Sequence, residues 1–251
     1  MQKLLIIPQN WLGDIVMSQT LLKRVKLENP DTKIDILVNS TFKSLVERMP
    51  EINEAIILDC EHKEFGFFKR LSLAKKIKGN YDQSIVLSRS IKSALIPYLA
   101  RIPIRTGELG ESRYILINDL RKFTKDNRRK TAFRYASMFT KKEEVLDEKY
   151  YPSLKSDPEK IKILSSKYKI NLEKKIIIFA PGAAFGPSKM WPVEKFKELG
   201  EKLNKDFFIL VLGSKSEKSI GDKIVTNKNV INLCGETSIT DAIDLMHISE
   251  F

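Results

Sequence analysis

The sequence predicts an α/β protein made of two Rossmann-like lobes, each with a parallel sheet. Short apolar runs alternate with segments whose apolar residues follow helical spacing, which is the pattern of repeated βα units. The apolar runs are rich in Ile, Leu and Val without polar alternation, as expected of strands covered on both faces. The same rhythm starts again after Glu173, so the pattern occurs twice along the chain.

The first half of the chain contains four strand–helix pairs. Its opening apolar run ends at Pro8, and the helix after it is stopped by Asn29-Pro30. The predicted strands are 3–7, 34–38, 55–58 and 84–87, and the helices that follow them are 15–27, 42–49, 67–77 and 91–100.

A boundary is predicted near the middle of the chain. Residues 125–130 are highly charged, and 150–158 are polar with two prolines, which is typical of a connecting segment. We therefore predict a first lobe over 1–155, a linker over 156–172 and a second lobe over 173–251. The predicted elements of the second lobe are strands 175–180, 207–212 and 230–233, and helices 193–203, 215–225 and one from 239. No helix-ending glycine follows that last helix, so the lobe is predicted to be incomplete.

Composition narrows the functional class. The 251 residues carry a formal charge of +12, which suggests an anionic partner: nucleic acid, a membrane surface or a phosphorylated substrate. A Lys-rich composition without functional meaning is the alternative. The two cysteines, Cys60 and Cys234, form no zinc or disulfide pattern, which fits a reducing compartment. With neither a signal peptide nor a membrane-spanning apolar run in the sequence, we predict a cytoplasmic location.

The first candidate site is the segment 10–14, between the first strand and its helix. Ligands of open α/β sheets bind at the carboxyl ends of the strands, so Asp14 is placed to act as a general base. An acidic residue at a helix start is also favoured by capping and by the helix dipole, which is the structural alternative. The loop has one glycine, Gly13, and so lacks a dinucleotide-binding fingerprint.

The second candidate is the loop 180–192, which follows the first strand of the second lobe. Gly182 and Gly186 allow backbone N–H groups to approach an anion, and the next helix adds positive potential. Lys189 adds a full charge, so the loop suits a diphosphate, although it is not a Walker A sequence. An exposed lysine in an ordinary loop is the alternative.

The third candidate is a basic wall for an acidic ligand. It combines the strand end 88–93, which holds Arg89 and Lys92, with Arg105 and Arg113. A solvated charged rim explains any one of these residues equally well. The sequence contains no zinc-binding or triad-hydrolase motif.

Several stretches together resemble the ADP-heptose–lipopolysaccharide heptosyltransferases, a glycosyltransferase family of Gram-negative bacteria. The resemblance runs along the whole chain, and the loop with Lys189-Met190-Trp191-Pro192 is its most specific part. The stretches that carry it are 11–19, 49–55, 92–97, 102–107, 113–114, 118–119, 181–192, 212–214 and 233–237.

The resemblance implies an inverting transferase of the GT-B type that needs no metal or other cofactor. Its first lobe would bind the heptosyl-Kdo inner core on lipid A, at the cytoplasmic face of the inner membrane, and its second lobe ADP-heptose. Asp14 matches the family's proposed general base, and Lys189 matches the lysine on the donor phosphates. Further donor contacts are implied at Gly182, Ala183, Ser214, Glu217 and Thr237, and acceptor contacts at Gly13, Arg89, Lys92, Arg105 and Arg113.

The sequence departs from the family at its end. Family members continue into a donor-contacting loop of Asn-Asp-Ser-Gly-Leu-Met-His type, so this chain is predicted to be a C-terminally truncated member. The letters Leu-Met-His at 245–247 fall in a predicted helix, and we assign His247 no role. Two alternatives stay open: another nucleotide-sugar transferase of surface-glycan assembly, or an inactive fragment. A nucleic-acid-binding module is disfavoured because its motifs are absent from the sequence.

Overall fold

The computed structural model describes residues 2–60, 64–124, 130–140, 147–183 and 187–250. The chain separates into two compact units, Met1–Leu154 and Lys155–Phe251. Each unit contains a sheet whose described strands are all parallel, which confirms the predicted α/β class. None of the described helices is both long and apolar enough to cross a membrane.

The first unit is a six-stranded sheet with helices between its strands. The strands are β1 (Lys3–Ile7), β2 (Lys33–Val38), β3 (Glu54–Ile57), β4 (Gln83–Val86), β5 (Ile104–Glu108) and β6 (Asp119–Arg121). The helices are α1 (Leu12–Glu28), α2 (Lys43–Val46), α3 (Phe67–Lys76), α4 (Ile91–Leu99) and α5 (Thr131–Ser137), with 3-10 turns at Ser40–Phe42 and Glu148–Tyr150.

The strand order of this sheet, β3-β2-β1-β4-β5-β6, fixes where a ligand can enter. The chain winds outward from β1 to β3 and then returns to place β4 on the other side of β1. Ile6 consequently pairs with Ile36 on one side and with Ile85 on the other. Loops that leave β1 and β4 turn to opposite faces, and the crevice between them is the usual ligand site of such sheets.

The second unit contains a smaller sheet in the order β7-β8-β9. Its strands are β7 (Lys175–Phe179), β8 (Phe207–Val211) and β9 (Val230–Asn232). Its helices are α6 (Pro158–Lys167), α7 (Val193–Leu203), α8 (Lys218–Ile224) and α9 (Ile239–His247), with 3-10 turns at Pro187–Lys189 and Lys215–Glu217. A parallel bridge joins Ile176 of β7 to Ser249 on the strand edge that β8 does not occupy.

The predicted linker 156–172 is corrected by the structure, because most of it forms α6 within the second unit. The Asp157 carboxylate accepts from the backbone N–H groups of Glu159 and Lys160, at 3.1 and 3.2 Å. Pro158 occupies the first helical turn, where its missing N–H costs nothing. The Asp157 N–H in turn donates to the buried Asp244 of α9 at 2.8 Å. Asp-Pro is thus a helix start, placed directly after the division between the two units at Leu154 and Lys155.

Candidate active site

Asp14 lies half-buried in the first turn of α1, directly beyond the carboxyl end of β1. The turn is closed by the backbone bond from Ile15 N to Trp11 O, 2.9 Å long. The Asp14 Oδ1 atom accepts a hydrogen bond from the Tyr135 hydroxyl at 2.6 Å. Its carboxylate is therefore held by a side chain of another helix, in addition to the favourable helix dipole.

Tyr135 brings α5 against α1 and is only 1% exposed. Its hydroxyl oxygen accepts from Gln9 Nε2 at 2.9 Å, which leaves its proton directed at Asp14. Burial, with the adjacent Asp14 carboxylate as a further cause, raises the pKa of Tyr135 well above its ordinary value. The phenol thus stays neutral and acts as a hydrogen-bond donor. Sequence reasoning missed both partners, although Gln9 follows β1 and position alone could have suggested it.

A cavity of about 450 Å³ opens beside this arrangement, at the carboxyl ends of the central strands. Gln9, Asn10 and Trp11 line it from the β1 side, and the serines at 88, 90 and 93 line it from the β4 side. Four charged side chains of both signs also line it: Glu64, Arg70, Lys92 and Glu111. A concave site with mixed polar groups at a strand-order reversal suits a polar, hydroxyl-rich ligand.

Three of the five predicted acceptor residues, Gly13, Arg89 and Lys92, follow the strands β1 and β4. Lys92 lines the cavity, and its ammonium donates to the Glu64 carbonyl at 3.3 Å. Arg89 is exposed just after β4 and donates to the Leu109 carbonyl at 3.3 Å. Gly13 is exposed, and a side chain there would meet nothing within 4 Å, so packing does not require a glycine.

Arg113 and Arg105, the other two predicted acceptor residues, do not line the cavity, and both donate to backbone carbonyls. Arg113 is 2% exposed and donates to the carbonyls of Glu108, Ser88 and Ser90 at distances of 2.6 to 3.2 Å. Burial lowers the pKa of its guanidinium. Arg105 lies in the amino half of β5 and donates to the carbonyls of Leu116 and Ile102. Arg113 therefore positions the loop after β4. Arg105 lies towards the amino ends of the strands, at the end of the sheet opposite the cavity.

In the second unit, three predicted donor residues meet at the carboxyl ends of β7 and β8. A Cβ atom on Gly182 would lie 1.5 Å from Glu217 Oε1, so the carboxylate packs directly on the glycine backbone. Glu217 Oε2 also accepts from Ser214 N at 2.5 Å and from Ser214 Oγ at 2.7 Å. Gly213 also lies close to this carboxylate, since a Cβ there would be 2.9 Å from Glu217 Oε2. The half-buried Glu217 thus joins the loops that follow two neighbouring strands.

The loop after β9 lies beside the loops after β7 and β8, at the carboxyl ends of the strands. Gly235 has a φ of +78°, and its N–H donates to the Gly213 carbonyl at 2.9 Å. A Cβ there would lie 2.7 Å from the Lys215 Cα atom, so only glycine fits the approach. Thr237 follows two residues later and is half-buried.

The 180–192 loop is described in part. Ala183 is half-buried, and Lys189 ends the Pro187–Lys189 turn with an exposed side chain. The motif residues Phe185 and Gly186 lie outside the described residues. Across the described ranges, no group of three or more His, Cys, Asp or Glu side chains is arranged to hold a metal ion.

Comparison with known proteins places this geometry in a family. The sequence profile of glycosyltransferase family 9 (heptosyltransferase) matches residues 70–250. Lipooligosaccharide heptosyltransferase 2 of Haemophilus ducreyi is 36% identical over 97% of this chain and 74% of that protein. Lipopolysaccharide heptosyltransferase 2 of Salmonella typhimurium is 35% identical with the same two coverages.

The fold agrees with a solved relative. The structure of E. coli ADP-heptose LPS heptosyltransferase II matches with a TM-score of 0.82 and 31% identity, over 99% of this chain and 77% of that chain. The match confirms the GT-B-type architecture of two α/β lobes that the resemblance implies. From the profile, the curated relatives and the fold together, we conclude that the chain belongs to glycosyltransferase family 9, the heptosyltransferases.

Proposed function

We propose that this protein transfers heptose, with inversion, from ADP-L-glycero-D-manno-heptose to the heptosyl-Kdo inner core of lipopolysaccharide. The observation that carries the proposal is the Tyr135-held Asp14 at the end of β1, in a chain that matches heptosyltransferase 2 proteins over 97% of its length. The donor and acceptor are those that the relatives' names and the family resemblance suggest.

Asp14 acts as the general base in this proposal. The Tyr135 hydroxyl occupies Oδ1, which leaves Oδ2 to accept the proton of the acceptor hydroxyl. As that oxygen forms its bond to the anomeric carbon, the bond from the carbon to the diphosphate breaks on the opposite face. ADP leaves with the electron pair, and the proton stays on Asp14. The adjacent cavity, lined by Gln9 and Trp11, supplies the acceptor subsite.

The second unit holds the donor. Lys189 neutralises the charge that grows on the departing diphosphate, which is electrostatic stabilisation of the leaving group. The backbone N–H groups around Gly182 and Ala183 approach the same phosphates. Glu217, on the neighbouring loop, accepts from ribose hydroxyls, as acidic residues do after strands of nucleotide-binding folds. Because the acceptor carries a lipid anchor, we place the protein at the cytoplasmic face of the inner membrane.

The proposal is tested by Asp14→Ala in a heptose-transfer assay with ADP-heptose and a heptosyl-Kdo lipid A acceptor. We expect kcat to fall by roughly 10²- to 10⁴-fold, the usual contribution of general base catalysis. Asp31→Ala, at an exposed aspartate before β2, is the matched control and should keep full activity. If Asp14→Ala transfers as fast as the parent, Asp14 is not the base. A donor panel in which a UDP-sugar is preferred would replace the heptose assignment.

A further inference from the structure

Three phenylalanines lie side by side on the surface of the first unit, where the chain enters α3. Phe68 is 81% exposed, and Phe65 and Phe67 are each close to half exposed. The ring centroids of Phe65 and Phe67 are 6.5 Å apart, and those of Phe67 and Phe68 are 5.7 Å apart. Contiguous exposed aromatic surface of this kind marks an interaction site.

Lysines share the exposed side of α3 with these rings. Phe68 and Lys75 are seven residues apart, two helical turns, and so project from one face. Lys69 and Lys76 are exposed beside them, and α3 itself contains no acidic residue. Glu64, just before the helix, pairs with Lys69 at 3.1 Å. We name as the α3 face the exposed side chains of Phe65, Phe67, Phe68, Lys69, Lys75 and Lys76.

The α3 face begins at the rim of the cavity described above. Glu64 and Arg70, which belong to the same segment, line that cavity. Lys92, also in the lining, has its ammonium 6.0 Å from the centroid of the Phe65 ring. Whatever binds the α3 face therefore lies next to the entrance of the proposed acceptor subsite.

A second group of exposed apolar side chains follows β5. Tyr114 is 64% exposed and Ile115 is 76% exposed. Glu111 of the same loop lines the cavity and accepts from the N–H of Ile91, itself 38% exposed, at 2.8 Å. Exposed apolar residues thus occur in each of the three segments that contribute charged side chains to the cavity lining.

We propose that the α3 face docks on an anionic lipid bilayer, with the phenylalanines in the interface and the lysines against headgroup phosphates. Aromatic rings beside lysines on a short helix are the composition of interfacial membrane segments. A protein partner fits less well, since lysine is depleted from protein–protein interfaces. The reason for docking rests on the proposed function, because a lipid-anchored acceptor would then reach the cavity directly from the membrane.

The test is co-sedimentation of the protein with vesicles of phosphatidylethanolamine and phosphatidylglycerol, compared with vesicles of phosphatidylcholine alone. We expect binding to the anionic vesicles that weakens with salt. Phe68→Ser should lower the affinity by about tenfold, from the loss of partial apolar burial. The double change Lys75→Ser with Lys76→Ser should lower it by about 25-fold, at about fivefold for each lysine near an anionic surface.

Matched controls lie in the second unit. Ile163→Ser removes an aliphatic side chain that is 65% exposed on α6, and Lys197→Ser with Lys202→Ser removes two exposed lysines of α7. Both controls should sediment like the parent. The proposal is overturned if the parent does not bind, if the α3 variants bind as it does, or if Phe68→Ser instead converts a dimer into a monomer in solution.

The heptosyltransferase proposal and the membrane-docking proposal can be contradicted independently of each other. Transfer to a delipidated, water-soluble inner-core oligosaccharide needs no membrane. If the protein binds vesicles but does not transfer heptose to this oligosaccharide, only the heptosyltransferase assignment is contradicted. Full transfer to that oligosaccharide without any vesicle binding contradicts the docking surface alone.

Discussion

At the scale of single residues, the Tyr135–Asp14 contact joins a buried phenol to a carboxylate just beyond the carboxyl end of β1. The hydroxyl is 2.6 Å from Oδ1 and is itself held by Gln9. The contact limits the rotation of the Asp14 side chain, so the carboxylate is oriented before substrate arrives. Pre-orientation of this kind is how residues outside the reaction contribute to its rate.

The same contact predicts a loss of stability in alkaline solution. In the unfolded chain the Tyr135 hydroxyl ionises near its ordinary pKa of 10.0, whereas burial and Asp14 raise the pKa in the folded protein. Above that ordinary value the folded state binds one more proton than the unfolded state, so stability falls as pH rises. The limit is about 1.4 kcal/mol per pH unit for one group. Urea unfolding of the parent at about pH 9 and about pH 11 measures the decline.

Tyr135→Phe should make that decline shallower, because the variant has no proton to retain at this position. The decline does not vanish, since burial and Asp35 also raise the pKa of Tyr81. Tyr114→Phe, at a tyrosine that is 64% exposed, is the control and should follow the parent. Equal declines for parent and Tyr135→Phe would contradict the raised pKa.

The sequence placed Asp14 and Lys92 correctly in the fold, while their roles stay predictions. Asp14 and Lys92 follow strands, and strand ends could be located from the apolar pattern. The burial of Arg113 was not predictable, because an arginine that binds backbone carbonyls and one that binds a ligand look alike in sequence. Tyr135 was missed because its helix, α5, packs on α1 through contacts that no local pattern reveals.

At the scale of elements, strong apolar periodicity located most strands and helices to within a few residues. The helix predicted over 193–203 is α7, Val193–Leu203, and the first predicted strand is β1. The strands β5 and β6 were missed because each is short and polar, as in Ile-Arg-Thr-Gly-Glu for β5. Their strand structure comes from pairing with β4 and with each other, which is a tertiary effect.

Two glycines of the second unit should respond oppositely to alanine. In Gly182→Ala the new methyl group would displace the Glu217 carboxylate from its hydrogen bonds to Ser214, so we expect a loss of about 1 kcal/mol and a raised KM for ADP-heptose. In Gly200→Ala, inside α7, the methyl group would meet Phe179 at 3.6 Å, an ordinary contact. A helix-interior alanine should then add about 0.5–1 kcal/mol. Urea unfolding compares the two, and equal effects would contradict the packing of Glu217 on Gly182.

At the scale of the whole molecule, the charge of +12 predicts how the protein meets its donor. A cationic protein attracts an anionic nucleotide sugar, and added salt screens that attraction. We expect kcat/KM for ADP-heptose to fall several-fold over an approximately tenfold rise in ionic strength, with kcat little changed. Sucrose, added to match the viscosity of the salt solutions, is the control for slower diffusion. A kcat/KM that is constant with salt would show that the basic excess has no role in donor capture.

The division into two α/β units was predictable because the βα rhythm restarts, but the cavity was not. Its lining combines the loops after β1 and β4 with Glu64, Arg70 and Glu111, residues far apart in sequence. Only the strand order brings them together. The position of Arg105 shows the same dependence, since β5 had to be known before its amino and carboxyl ends could be told apart.

The central place of β1 also has a consequence for synthesis of the chain. Ile6 is made roughly 80 residues before its partner Ile85. At 5–20 residues per second, that delay is about 4–16 s. During it the backbone edge of β1 that β4 will cover has no partner, while β2 can already pair with the other edge. The strand β1 is thus enclosed on both edges only after β4 has been made, and nascent chains stalled before β4 should be the ones that chaperones retain.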